Sequence, residues 1–512
     1  MKDFTKYLNR HPLIWITLFL FSCLSHGTML LSTTSGIDVD AAVNGTAKNG
    51  LDLGRQGFFL LHFLLGNGWF NVYYAGALTL FFLTVSCALW SYFYVQASGR
   101  ENALAILASG MLFLSASTLT MHLFFKQQAM EMAFGFCLMA ITLITLMHVL
   151  MSQSSAKKNI SLFLLLFPCV ILFSTYQIFY VIFIYGVVAF LFLSFHNPIF
   201  LDRTTESKRW NIAISCFIFF LVGFIINQII TSFIATAEGY LTGQILWGSE
   251  PASIIIPRII KSIGGCLIGY RPYFTWTLLV FYLLILITGI RAVLHIEHIS
   301  SKVLLTLVVI GLLISPFALT ILMGQAPALR AQLVYPLFLG FSGFYVFTYF
   351  EKKRIFHIVL QLCVILCLFS QFSATQRLNY TNAMRYEKDS QLATLIHSEI
   401  DALNLNDYPI AFYGRKETAL NNACMIVSEP LSTSVFDWDW VLEPKYYYSS
   451  VRIVDFLNSQ GCTYQAADEI YFDEFVPSVA ADMPCFPADG SIIEKDGIII
   501  VKLNNEEFEP NE

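Results

Sequence analysis

Charge is what this chain is short of. Only 13% of its 512 residues are Asp, Glu, Lys or Arg, against 56% hydrophobic and 15% aromatic. A soluble domain carries roughly 25% charged residues, so the composition is that of an integral membrane protein. No basic stretch with interleaved aromatics is present, which removes nucleic acid as a partner. No CxxC or Cys/His spacing of a zinc site is present either. Most of the eleven cysteines (among them Cys23, Cys87, Cys137 and Cys169) lie in apolar runs, where they act as small buried hydrophobes. Only Cys424, Cys462 and Cys485 lie in the polar tail, and outside the cytoplasm they allow one disulfide with one thiol left over. There is no internal repeat. The first apolar run is too long for a signal-peptide core and lacks a small-residue cleavage site, so it reads as a retained anchor.

The charges that are present are unevenly placed. From Thr375 onward there are 9 Lys and Arg against 23 Asp and Glu, net −14, which leaves net +9 for the rest. Two regions meeting different solvents follow: residues 1–374 in the membrane and residues 375–512 as a soluble domain. A bilayer core takes about 20 apolar residues per helix. Eleven spans are predicted, at 13–31, 72–95, 104–123, 132–151, 160–174, 178–195, 211–235, 274–290, 303–323, 332–350 and 355–374. The two runs between 160 and 195 are short, with Pro168 in the first, so a hairpin of two partial spans is the alternative. With the N-terminus inside, inner segments hold 14 Lys and Arg and outer loops 7, the sense of the positive-inside rule. The acidic tail is then outside.

Two outer loops are long enough to build something, 32–71 and 236–273. The run GFFLLHFLLGNGWFN and the segment around Ile254–Ile263 are each too short to span and are expected to lie along the interface. The tail opens as an amphipathic helix. PIAFYG, EIYFDEF and SIIEKDGIIIVKL follow as strand-like runs between Gly, Pro and Asn/Asp, so a small α/β or α+β domain is expected.

The first loop, TTSGIDVDAAVNGTAKNGLDLGRQG, holds the first concentration of ionisable groups. Asp38 or Asp40 at the membrane face is a candidate general base for an acceptor hydroxyl; the ordinary alternative is a solvated turn. Arg55, between glycines, has the fork geometry for a phosphate, the alternative being a snorkelling interfacial arginine. Lys126, Arg258, Lys261, Arg271 and Arg330 lie on the same outer face against the charge rule, as does the Tyr176-Gln177 turn. Cations for a phosphate, amide and phenol for sugar hydroxyls and aromatic helices for a tail are together what a lipid-phosphate-sugar donor requires. His26 and His62 read as packing or local hydrogen-bonding groups, Glu131 as a partner for Lys126, and Asp437-Trp438-Asp439-Trp440 as a packed loop or a sugar-stacking one.

One span followed by an outer loop with paired acids resembles the GT-C glycosyltransferases, and more closely the bacterial glucosyltransferase II family that modifies O-antigen. The residues that carry the resemblance are Gly36-Ile37-Asp38-Val39-Asp40, Gly54-Arg55, Ser174-Thr175-Tyr176-Gln177, Pro327…Arg330…Pro336 and Asn379…Tyr386…Asp389. The family pattern has adjacent acids; here Val39 separates them and Gln56 follows the arginine, so the identity of the base stays open. The resemblance implies transfer of glucose from undecaprenyl-phosphate-glucose to a lipid-linked glycan, in the periplasm of a bacterium, by a multi-pass protein of the inner membrane. In that scheme Asp38 or Asp40 takes the proton, Arg55, Arg330, Lys126, Arg258 and Arg271 hold the donor phosphate, and Tyr176 and Gln177 touch sugar. No cofactor is required, although the paired acids offer a divalent metal two ligands. A transporter of lipid-linked sugars would instead put charges near the bilayer midplane and repeat its halves. A non-catalytic glycan-binding subunit would make the first loop dispensable.

Overall fold

A backbone in hydrocarbon must satisfy its own hydrogen bonds, so apolar runs of this length fold as helices. The computed structural model describes all residues except 1, 37, 47–49, 67–69, 152–154, 236–241, 271, 351–353, 418–421, 427–433, 438–445 and 506–512. Among the described residues nine helices are long and apolar enough to cross a membrane: Pro12–Leu30, Val72–Ser98, Lys126–Met151, Lys158–Thr175, Ile178–Phe195, Glu206–Ile234, Thr277–His295, Ile299–Met323 and Ile355–Ala402. The bent pair Ala103–Ser115 and Ser117–Leu123 adds one more, and the shorter apolar helix Val334–Tyr349 falls on the span expected at 332–350. The runs between 160 and 195 are two helices with separate packing. The protein is a polytopic helical membrane protein with a small α/β tail.

Outward-facing side chains such as Leu13, Phe163, Phe233 and Ile299 are largely exposed and apolar, as lipid contact requires. Inside, small residues let helices approach. Gly340 of Val334–Tyr349 comes so near Ala103–Ser115 that a Cβ would sit 2.9 Å from the Ser109 carbonyl oxygen, which lets this helix bury nearly all its side chains.

Two irregularities mark the end of the bundle that carries the first loop. The first helix contains a π-helical turn at Cys23–Gly27. Its loosened carbonyls are capped by the last helix: Gln376 Nε2 donates to Leu24 O (3.3 Å) and Ser25 O (3.2 Å), and Asn379 Nδ2 to Ser25 O (2.8 Å). The third span, expected as one helix, bends by 51° where Ala116 is extended. The Ser117 N–H released there donates to Gln371 Oε1 at 3.0 Å, and Ser117 Oγ to Tyr273 O at 2.6 Å. Broken backbone at membrane depth is tolerated where neighbours re-satisfy it, and the last helix is that neighbour for both breaks.

That last helix is continuous from Arg354 to Ala402, 49 residues, or roughly 70 Å at 1.5 Å per residue. The final span and the amphipathic opening of the tail are thus one rod. Beyond it lies a three-stranded sheet of order β1-β3-β2, with β1 Ile410–Tyr413, β2 Ile492–Lys495 and β3 Ile498–Lys502. β1 pairs parallel to β3, Ile410 opposite Ile499, and β2 pairs antiparallel, Ile493 opposite Ile500. The β2–β3 turn is Asp496-Gly497, both with positive φ (50° and 80°), the backbone that a two-residue hairpin turn demands.

Two expectations for the tail are corrected. EIYFDEF is not a strand but opens the helix Glu469–Ala481. Asp468 caps it through the Ile470 N–H (3.0 Å), and Phe472, Val476 and Ala480, four residues apart, form its buried stripe. Helical periodicity beyond the run outweighs the strand preference of Ile-Tyr-Phe. Cys424, Cys462 and Cys485 are free thiols rather than one pair and a remainder. Trp438, Asp439 and Trp440 lie outside the described residues.

Candidate active site

The first loop, the turn at 123–126, the turn at 175–178, the 323–334 connection and the emerging last helix all come together at one end of the bundle. Lys126, expected to meet Glu131, instead reaches back to the first loop. Its Nζ donates to Ser32 O at 2.8 Å and to Thr34 Oγ1 at 3.2 Å, and it lies within electrostatic reach of Asp40. Glu131, wholly buried, pairs with His62 Nδ1 at 2.8 Å; His26 Nε2 hydrogen-bonds Leu114 O at 2.7 Å. Both histidines are therefore held by hydrogen bonds, each to a partner distant in the chain.

The two acids part company. Asp38 sits in the left-handed region (φ 63°), which Asp tolerates, and its carboxylate meets Arg452 Nη2 at 2.5 Å, with 41% of the Asp38 side chain exposed. Asp40, in the helical turn Val39–Val43, is 6% exposed. It accepts hydrogen bonds from the hydroxyls of Ser35 and Ser459. Burial pushes its carboxyl up to about 6, opposed by those hydroxyls and the nearby Arg385 charge, which pull it down. Arg385 donates to Ser35 O and lies 3.9 Å from Asp389; Asp389 in turn accepts from Ser434 Oγ (2.6 Å) and the Val435 N–H (2.9 Å).

Ser459 and Arg452 both belong to the tail helix Tyr446–Ser459, so one helix covers both acids. A third tie is Asn44 Nδ2, which donates to Asp455 O at 2.8 Å, 411 positions away in the chain.

The arginines form the other half. The Arg55 guanidinium lies over the Tyr176 ring, 5.0 Å from its centroid. Tyr176 meets His122 edge-on at 5.6 Å. His122 Nδ1 is 3.2 Å from Arg330 O, and the Arg330 guanidinium lies over Phe125 at 4.9 Å. Arg55 and Arg330 both act electrostatically on His122, so two cations converge on one aromatic patch next to Lys126. Arg55 Nε is buried and makes no hydrogen bond among the described residues.

Gly57 sets this geometry. A Cβ there would lie 2.0 Å from Ile171 O, so only glycine lets the helix Gln56–Leu64 lie against the end of Lys158–Thr175. The next residue toward Arg55, Gln56, hydrogen-bonds Asn227 (3.1 Å) and Thr231 (3.3 Å).

The remaining expected residues divide. Gln177 begins the helix Ile178–Phe195 beside Tyr176. Arg258, on the helix Ala252–Ile268, is 41% exposed and pairs with Glu250 at 3.1 Å, so it is engaged in its own loop rather than in the arginine patch. Arg271 lies outside the described residues. Of the post-membrane run, Asp389 orders Arg385, while Tyr386 accepts from Gln460 Nε2 at 2.9 Å. His122, Ser35, Arg385 and Arg452 were not singled out from sequence. Only His122, four residues before Lys126 at the end of an apolar span, carried a local signal.

A sequence model of the family described as glucosyl transferase GtrII matches residues 27–347, which contain the acid loop and every residue of the arginine patch. The chain belongs to this family. It is thus a membrane-embedded glucosyltransferase of glycan modification. Comparisons with curated proteins and with solved structures gave no match.

Proposed function

We propose that the enzyme moves glucose from a polyprenyl-phosphate carrier, undecaprenyl phosphate in a bacterial inner membrane, to a lipid-linked glycan such as O-antigen on the periplasmic side. The observation that carries this reading is the grouping around Lys126 of a buried carboxylate, Asp40, and two guanidiniums laid on aromatic rings, Arg55 and Arg330. The acceptor oxygen attacks the anomeric carbon. The bond from that carbon to the phosphate oxygen breaks, and its electron pair leaves on the polyprenyl phosphate. The acceptor proton passes to Asp40.

Arg55 and Arg330 neutralise the charge that grows on the leaving phosphate, worth most where water is excluded. Lys126, within electrostatic reach of Asp40, adds a third cation to this grouping. Asp40 is the better base of the two acids because its carboxyl titrates near working pH, whereas the charge of Asp38 is already satisfied by Arg452. The N-terminus is cytoplasmic in this scheme, and residues 375–512 form the periplasmic domain that positions the acceptor. Tyr176, under the Arg55 guanidinium, and its neighbour Gln177 are the groups assigned to the donor glucose.

The test is transfer from labelled undecaprenyl-phosphate-glucose in membranes holding equal amounts of wild type, Asp40→Asn or Asp38→Asn. Loss of a general base is expected to lower turnover by roughly 10²–10⁴-fold in Asp40→Asn, with donor binding retained. Full activity of that variant would refute the assignment of the base; no transfer by wild type would refute the donor.

A further inference from the structure

Between the first loop and the emerging last helix lies a cavity of about 230 Å³, room for roughly seven waters at about 30 Å³ each. Its size suits one pyranose ring. Its polar wall includes Thr34, Gln376, Asn379 and Asn382, with Tyr380 and Ala383 beside them. None of its lining residues is charged. The Lys126 ammonium behind this wall is already engaged by Ser32 O, Ser32 Oγ and Thr34 Oγ1, whereas a neutral polyol meets hydroxyls, amides and one aromatic face inside it.

The wall is held in place before any ligand arrives. Thr34 Oγ1 receives Lys126 Nζ (3.2 Å) and Asn382 Nδ2 (3.1 Å). The Tyr380 hydroxyl is held by Asn422 Nδ2 at 3.2 Å. Asn379 is 8% exposed. Its amide nitrogen is spent on Ser25 O, while its Oδ1 is buried with no hydrogen-bond partner among the described residues. A buried acceptor left without a donor costs stability, a cost that a hydroxyl brought to it by a small turn of the side chain would remove. The cavity also adjoins the base, since Thr34 precedes Ser35, whose hydroxyl donates to Asp40.

We propose that this cavity binds a neutral hexose ring of the acceptor glycan, with one sugar hydroxyl donating to Asn379 Oδ1, next to the hydroxyl that Asp40 deprotonates. The inference rests on the reading of the protein as a transferase to a glycan, and its test is kept separate from transfer. The full chain in lipid nanodiscs, free of glycoside detergent, is examined by saturation-transfer NMR. The probes are methyl α-glucopyranoside, methyl α-galactopyranoside and methyl α-rhamnopyranoside, with methyl glucuronide as the charged control.

At least one neutral probe is expected to bind and the glucuronide to fail. Asn379→Leu is expected to raise the Kd by about three- to ten-fold, the worth of one neutral hydrogen bond. Ala383→Leu, which adds bulk at an exposed position of the wall, is expected to do the same by narrowing the space and serves where Asn379→Leu fails to fold. If no neutral probe binds, or binding is unchanged in the folded variants, the subsite is wrong. Transfer from undecaprenyl-phosphate-glucose is measured on the same preparations. Hexoside binding without transfer would leave the subsite standing and remove the donor reading; transfer with unaltered binding in the variants would do the reverse.

Discussion

Replacing Asp40 by asparagine is expected to stabilise the protein while disabling it. Its carboxyl is raised from 3.8 to about 6, chiefly by burial. At about 1.36 kcal/mol per unit, holding it ionised at neutral pH costs the folded state of the order of 3 kcal/mol. The sign follows from proton binding. Between about pH 4 and pH 6 the folded state holds this proton and the unfolded state has released it, so stability falls as pH rises through that window and is level above it. Asparagine has the same shape and no charge to desolvate. The melting temperature of Asp40→Asn minus that of wild type should thus be near zero at pH 4, grow to pH 6–7 and then stay constant. Asp455, also raised by burial, contributes with the same sign, and the difference between the two proteins removes it to first order. Over the same range wild-type kcat/KM should climb with pH to a plateau above about 6. A melting difference that does not change between pH 4 and pH 8 would refute the reasoning that Asp40 is buried at a desolvation cost.

Three other outcomes are expected. Arg55→Lys loses the planar stack on Tyr176 and the two-pronged grip on phosphate, so the KM for donor should rise roughly ten-fold, measured in initial-rate assays; an unchanged KM would remove Arg55 from the donor site. Gly57→Ala drives a methyl into the Ile171 carbonyl, where only backbone movement relieves it; a loss of a few kcal/mol should appear as little or no monodisperse protein on gel filtration. The Asp38–Arg452 pair, partly exposed, should show a coupling of no more than about 1 kcal/mol in a double-mutant cycle of Asp38→Asn and Arg452→Gln. Asp38→Asn alone should keep transfer within a few-fold of wild type, and its abolition would exchange the roles of the two acids.

Much of this architecture was legible in the residues themselves. The eleven apolar runs became helices, because burial of backbone polar groups leaves an apolar run in lipid no other choice. The gathering of acids and cations outside the apolar runs was also visible, since charge placement is a local property, whereas SIIEKDGIIIVKL, read as one strand-like run, is two strands joined by the Asp496-Gly497 turn. Even the run Asn379…Tyr386…Asp389, weak in itself, turned out to contain a cavity wall, a contact to the tail helix and the partner of Arg385. EIYFDEF shows where local reading fails: its strand-forming residues sit inside a four-residue periodicity that only packing against the sheet makes decisive.

What tertiary structure alone decided is how each polar group is satisfied. Asp38 and Asp40 stand two residues apart, yet one is half-exposed and ion-paired and the other buried with its carboxyl raised. The difference comes from Arg452 and Ser459 on a helix some four hundred residues downstream. The break at Ala116 has no proline or glycine to announce it, and it persists because Gln371 and Tyr273 receive the groups it frees. Hydropathy and turn propensity are properties of neighbours along the chain, so sequence determined the elements. Desolvation, ion pairing and hydrogen-bond satisfaction are properties of neighbours in space, and these decided which carboxylate is buried and which is ion-paired.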